Sequence, residues 1–255
     1  MVQGIDTTTA SLVSLQTRLM QLANNVANVD TPGYKQDVVE LNDPAQANQS
    51  TYRLVSTSAG LQAEPVGSLG GILLAPEPPG LDLTAGIIKP TGGQLDLAIE
   101  GAGYFAVQRG DGIYYTRDGS FLRAADGSLV TSDGGLVLGS KGAIKLPDGE
   151  VKIDEVGNVW VAGKAIDKLR LDDFPAGVVL RKVGFNYLKP DDPSAAPVPA
   201  TGAVYQGFIE TSNVDIGKTM VEMMSMMRSY QANQRILQLQ NEALAKAVND
   251  VARLA

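Results

Sequence analysis

Gly217-Lys218-Thr219 opens a long segment without glycine or proline, and a Gly-Lys-Thr at a helix start is how a phosphate-binding loop ends. That loop needs an earlier glycine where Ser212 stands, and the residues before Gly217 lack the glycines that let backbone amides wrap a phosphate. The triplet is therefore expected to be an ordinary helix start. Gly101-Ala102-Gly103 follows an apolar strand, as a dinucleotide fingerprint does, but YFAVQ comes next instead of a helix. A tight turn between strands is expected there. Repeated Asp-Gly pairs at 111–112, 118–119, 126–127 and 133–134 suggest calcium, yet neither Asp111 nor Asp118 begins a loop with alternating ligands and a closing glutamate. Turn chemistry explains the pairs better, since Asp-Gly is a favoured hairpin connection.

The chain of 255 residues has no cysteine and no histidine. Thiolate zinc sites, disulfides, cysteine nucleophiles and histidine-based triads are excluded, and nothing calls for a cofactor or metal. The net charge of −7 argues against nucleic acid, which asks for a basic footprint. Membrane insertion needs about 20 consecutive apolar residues, and no run approaches that. The amino terminus lacks the basic and apolar regions of a cleaved signal peptide.

The elements are three zones of an α+β protein. Ile5, Leu12, Leu15, Leu19, Leu22, Val26 and Val29 form a heptad stripe, with Asp6 and the following threonines as N-cap candidates. Thr31-Pro32-Gly33-Tyr34 ends this helix. From Lys218 on, Met220, Met223, Met227, Tyr230, Gln234, Leu237, Asn241, Leu244, Val248 and Val251 share one heptad frame. Gln234 and Asn241 occupy core positions of it. Met224, Ile236, Leu239 and Ala243 widen the apolar face beyond what two helices need. Between the ends, LDLAI, YFAVQ, IYYTR, GSFLR, SLVTS and GLVLG are short strands in antiparallel hairpins, a barrel- or sandwich-like body. The expected divisions are residues 1–35 (coiled-coil helix and turn), 36–94 (connecting segment, with a flexible loop near 60–90), 95–190 (β-rich body), 191–212 (linker and return) and 213–255 (coiled-coil helix). Residues 1–35 carry no net charge and 218–255 carry +2, so the middle carries −9. An acidic body facing outward and weakly charged ends buried against something fit this division.

LANNVANVDTPGYK (22–35) resembles the amino-terminal signature of the flagellar rod and hook axial proteins, of the type ANN-x-AN-x-x-T-x-G-[FY]-K. GFIETSNVDIGKTMVEMMSMMRSYQANQRIL (207–237) resembles their carboxy-terminal segment, with Gly207, Glu210, Ser212, Asn213, Val214, Glu222, Met223, Arg228, Tyr230 and Asn233 in place. LDLAIEGAGYFAV (95–107) and YYTRDGSFLRAADGSLVTSDG (114–134) resemble the β-body. The length favours a rod protein over the longer hook protein, and the resemblance is taken to favour the distal type, with its proximal paralogue as the alternative. The resemblance implies a structural, non-enzymatic subunit exported unfolded by the flagellar type III apparatus. It implies helical polymerisation through paired terminal helices, with other rod and hook proteins and surrounding ring proteins as partners. It places the protein in the basal body, on the periplasmic side of the envelope. The expected assembly interface comprises Leu12, Leu15, Leu19, Leu22, Asn24, Asn25, Val26 and Asn28, with Met220, Met223, Met227, Tyr230, Asn233, Gln234, Leu237, Asn241, Leu244, Val248 and Val251. The amides, with Gln231 and Gln240, would bond between subunits without the desolvation cost of charges. The competing readings are a surface β-domain on a coiled-coil oligomerisation stalk, unrelated to motility, and an enzyme with an acidic cleft.

Overall fold

A computed structural model describes residues 2–38, 52–57, 60–65, 80–110, 112–184 and 186–254. The described chain is α+β, with two helices and many short antiparallel strands. It divides into two compact units. One takes residues 1–24, 39–80 and 217–255; the other takes 25–38 and 81–216.

The first unit contains most of both helices. Helix α1 runs Val2–Ala27 and α2 runs Ile216–Leu254. The length of α2, 39 residues, follows from the absence of any glycine or proline after Gly217. Helix α1 starts ahead of Asp6, so Asp6 and the threonines lie inside it and do not cap it. A hairpin pairs Tyr52–Thr57 with Gly60–Pro65. Most of the expected flexible loop, residues 66–79, lies outside the described residues.

The second unit is the β-body. Its largest sheet has ten strands; along the main path they run 180–183, 187–190, 112–116, 104–109, 136–139, 129–130 and 122–123, each antiparallel to the next. Tyr104, Phe105, Ala106 and Val107 are all buried, as in a central strand covered on both faces. A three-stranded sheet of 151–153, 158–161 and 164–168 alternates instead: Val159 and Val161 point inward and Trp160 outward. Its inner face joins Leu97, Phe105, Phe121, Leu129, Ile144 and Val204 in one core, where Phe105 and Phe121 stack edge to face at 5.1 Å. Two of the Asp-Gly pairs join antiparallel neighbours, those at 126–127 and 133–134, and Asp111 of the pair at 111–112 lies outside the described residues. The pair at 118–119 does not join such neighbours: it lies in the connection between strands 112–116 and 122–123. Gly101-Ala102-Gly103 is the expected bend, between strands 97–100 and 104–109.

Candidate functional site

The signature stretch is a folded turn, and most of its side chains work inside their own chain. Thr31 N–H donates to Asn28 O, and Tyr34 N–H donates to Thr31 O, so two turns follow the helix in succession. Thr31 Oγ1 donates to Asn28 Oδ1 at 3.2 Å. Gly33 has a φ of 67°, and a Cβ there would sit 2.2 Å from Asp118 N, so this position needs both a left-handed backbone and no side chain. The chain then turns Tyr34 fully inward, where its hydroxyl donates to Asn25 Oδ1 at 3.1 Å. Asn25 is equally buried; its Oδ1 also accepts from Asp37 N and its Nδ2 donates to Asp37 O. The expectation for Asn25 was an inter-subunit bond. Its amide is instead committed to the turn that reverses toward it, because Asp37 and Tyr34 present the donors and acceptor it matches.

Beneath the turn lies a set of buried charges. Lys35 Nζ meets Glu210 Oε1 at 2.6 Å and donates to Thr84 O at 2.7 Å. Arg117 Nη1 meets Glu210 Oε2 at 3.2 Å, and the guanidinium also donates to Ile99 O and Gly101 O. Lys182 Nζ pairs with Asp37 Oδ1 at 2.6 Å, donates to Lys35 O, and lies 4.0 Å from the centre of the Tyr34 ring. Arg117 likewise stacks on Tyr104 at 5.2 Å. Burial pushes the Lys35 and Lys182 ammoniums down, opposed by Glu210 and Asp37 respectively. Burial, reinforced by Asp37, holds the Tyr34 hydroxyl well above its ordinary value. Such pairs are costly to break singly, because the remaining charge is stranded away from water.

The return segment completes the clasp. Gly33 N–H donates to Glu210 O, and Gln36 N–H donates to Asn213 Oδ1. Asn213 Nδ2 donates to Asp82 O and Thr84 O, drawing in residues 82–91. Glu210, Arg117, Asp118, Lys182 and Asn186 were absent from the expected site. Glu210 had a signal, in the Glu-x-Ser-Asn-Val of the carboxy-terminal segment. Lys182 and Asn186 had none, since nothing local marks a residue that bonds to Lys35, Asp37 or Pro32 across the fold.

On the helices, Leu12, Leu15, Leu19 and Val26 are half-buried, Leu22 and Asn28 are buried, and Asn24 is exposed. On α2 the half-buried row is Met223, Met226, Tyr230, Asn233, Leu237, Gln240 and Leu244. This shifts the expected frame. Met223, Tyr230, Leu237 and Leu244 stay on it, while Met220, Met227, Gln234 and Asn241 are exposed. At 3.6 residues per turn the third and fourth positions onward flank one line equally, and packing decides between them. Here Asn233 Nδ2 reaches Ser11 Oγ on α1 at 3.4 Å. The side chains of Val248 and Val251 lie outside the described residues. Large apolar side chains remain in water along α2: Ile216, Met220, Val221, Met224, Met227, Ile236 and Leu239, with Val13 and Met20 on α1.

Among the described residues no helix is long and apolar enough to cross a membrane, and no cluster of His, Cys, Asp or Glu could hold a metal. An open groove of about 550 Å³ beside Lys168, Arg170 and Thr201 has its Arg170 tied to Asp172 at 2.8 Å.

The β-body thus holds an amino-terminal turn and a carboxy-terminal return, and a helix leads from each. Residues 12–35 match the flagella basal body rod protein domain, 98–161 the flagellar hook protein FlgE/F/G D1 domain, and 205–250 the flagellar basal body rod FlgEFG protein C-terminal domain. The flagellar basal-body rod protein FlgG of Bacillus subtilis is 33% identical over 98% of this chain and 99% of its own. FlgG of Buchnera aphidicola from Acyrthosiphon pisum is 30% identical over 96% and 98%. FlgF of Caulobacter vibrioides is 29% identical over 95% of each. The chain belongs to the flagellar basal-body rod protein family, which is structural and not enzymatic.

Proposed function

We propose that this chain is a structural subunit of the flagellar basal-body rod, of the distal type, that polymerises helically through α1 and α2. The observation that carries the mode of assembly is the apolar surface left in water on α2, from Ile216 to Leu239. Burial of such surface contributes about 25 cal/mol per Å². A helix that keeps seven large apolar side chains in solvent among its described residues gains that energy only against neighbours. Methionines suit this role because their flexible thioethers adapt to non-equivalent surfaces. The paired helices then form a coiled coil within the assembly, with the acidic body outward. Copies of the chain and other rod and hook proteins are the neighbours. Passage through the flagellar export apparatus, contact with surrounding rings and placement on the periplasmic side complete this reading. The near full-length similarity to proteins named FlgG supports the distal type. The reading of a stalked domain unrelated to motility has no support from any relative.

The test is a full-length variant with Met220, Met224 and Met227 changed to Gln. The expected result is a folded monomer by near-ultraviolet circular dichroism that neither forms tubes by electron microscopy nor restores swimming to a strain lacking the gene. Normal tubes and normal swimming would overturn the interface. A wild-type protein that sediments as a small, fixed, already helical oligomer would favour the stalk.

A further inference from the structure

We infer that the signature turn and the return segment 208–214 form a reciprocal latch: each holds its place on the body only while the other is docked. The inference rests on the clasp geometry alone, so its failure would leave the rod assignment standing.

The signature turn, the return segment and residues 82–91 interlock. The turn gives Gly33 N–H to Glu210 O at 2.8 Å, Lys35 Nζ to Glu210 Oε1 and Gln36 N–H to Asn213 Oδ1. The return segment gives Asn213 Nδ2 to Asp82 O and Thr211 N–H to Ile87 O. Residues 82–91 give Asp82 N–H back to Gln36 O and Gly86 N–H to Glu210 Oε1. The packing is backbone on backbone, since a Cβ on Gly86 would fall 1.9 Å from Thr211 O. Partners 175 and 177 residues apart in sequence therefore close one knot.

The charges make the closure conditional. With the return segment absent, Lys35 and Arg117 face one buried space as two cations without an anion between them. A stranded buried charge costs enough to keep that arrangement from forming. With the turn absent, Glu210 loses one of its two cations, and Asn213 loses the Gln36 N–H donor. Neither half completes a satisfied site alone. The last turn of α1, fixed through Asn25, and the residues leading into α2, fixed through Asn213, would then dock on the body in a single step. By linkage, a change that weakens one weakens the other to the same degree.

Hydrogen exchange on the full-length protein tests this, using two perturbations from opposite sides. Asn25→Ala removes bonds to Tyr34 and Asp37 alone, inside the turn, and Thr211→Val removes the bond from Thr211 Oγ1 to Ile87 O, which does not touch the turn. The latch predicts that Asn25→Ala speeds exchange of the Thr211 amide by at least about tenfold, and that Thr211→Val speeds that of Asp37 by at least about threefold. In the wild type and in both variants the Thr211 and Asp37 amides should stay less protected than the Val107 and Val159 amides of the body, as an opening smaller than global unfolding requires. Acceleration confined to the substituted segment would overturn the latch. Equal protection at Thr211, Asp37, Val107 and Val159 would overturn it too, because the ends would then open only with the whole body.

Discussion

Changing Asn25 to alanine should destabilise the β-body of the isolated subunit, without any need for a neighbour. The side chain is fully buried and makes hydrogen bonds of 2.9, 3.0 and 3.1 Å to Asp37 O, Asp37 N and the Tyr34 hydroxyl. Alanine leaves all of these groups in place and away from water. A stranded buried donor or acceptor costs about 1–3 kcal/mol, and the losses overlap because two of them fall on Asp37. A loss of about 3–4 kcal/mol is expected. A unit of this size loses about 2–4 °C per kcal/mol, so its melting temperature should fall by about 10 °C. The single tryptophan, Trp160, lies in the body and reports the transition by fluorescence. Gln234→Ala is the control, since Gln234 is exposed on α2 and surface changes stay within about 0.5 kcal/mol. A variant at Asn25 that melts within about 2 °C of the wild type but no longer forms tubes would refute the reasoning and return Asn25 to the inter-subunit contact.

Ala162 has a φ of 49° in the turn between strands 158–161 and 164–168, a conformation suited to Asn or Gly. Ala162→Asn should therefore stabilise by about 0.5–1 kcal/mol, read as a rise in the denaturant midpoint. Lys182→Met removes the ammonium that faces Asp37 Oδ1 at 2.6 Å and should cost about 3 kcal/mol, whereas Lys182→Met with Asp37→Asn should recover much of it. A double mutant no better than the single one would show that the pair is not coupled. Stability should also fall in alkali. Burial, then Asp37 or Asp133, raises the Tyr34 and Tyr187 hydroxyls above their ordinary value, so their contribution is intact below about pH 10 and lost above it. The lowered Lys35 and Lys182 act oppositely, adding stability as pH rises toward about 10.5. Denaturant midpoints should hold or rise slightly up to about pH 10 and then drop, with tyrosinate absorbance appearing late. Early ionisation of every tyrosine in the folded protein would contradict this.

The parts of this molecule legible in its sequence are those written in local pattern. The helices follow from unbroken heptad spacing, and the hairpins at 126–127 and 133–134 follow from Asp-Gly between short apolar runs. The signature stretch was recognisable, yet its amides read as surface groups because composition cannot tell an Asn facing a neighbour from an Asn facing its own chain. Asn25 and Asn28 turn inward only because Tyr34, Asp37 and Thr31 come back to meet them. The α2 frame slipped for a related reason. Gln234 and Asn233 are adjacent amides of equal polarity, and only the position of Ser11 on another helix selects between them. Lys182 was invisible because its partners are contributed by a segment 145 and 147 residues away.

These two kinds of legibility correspond to a division of labour in the energetics. The body and its clasp are closer to self-sufficient: the core is apolar and Lys35, Arg117 and Lys182 are paired with Glu210 and Asp37, while Arg117 Nε and Asn186 Oδ1 are buried without a partner among the described residues. The seam of α2 is not. Its half-buried row places Asn233 and Gln240 among Met223, Met226, Tyr230 and Leu237, and polar seam positions cost stability while fixing register. Gln240 Oε1 and Gln21 Oε1 are shielded from water with no partner among the described residues, each a cost of about 1–3 kcal/mol if none is supplied. On the opposite side the apolar residues of α2 stay wet. Both deficits point the same way. In the proposed assembly, unmet acceptors and uncovered apolar surface on these helices would be relieved by further helices. On that proposal, strengthening α1 against α2 within the monomer would remove part of the free energy that assembly needs, whereas strengthening the clasp would leave that free energy untouched.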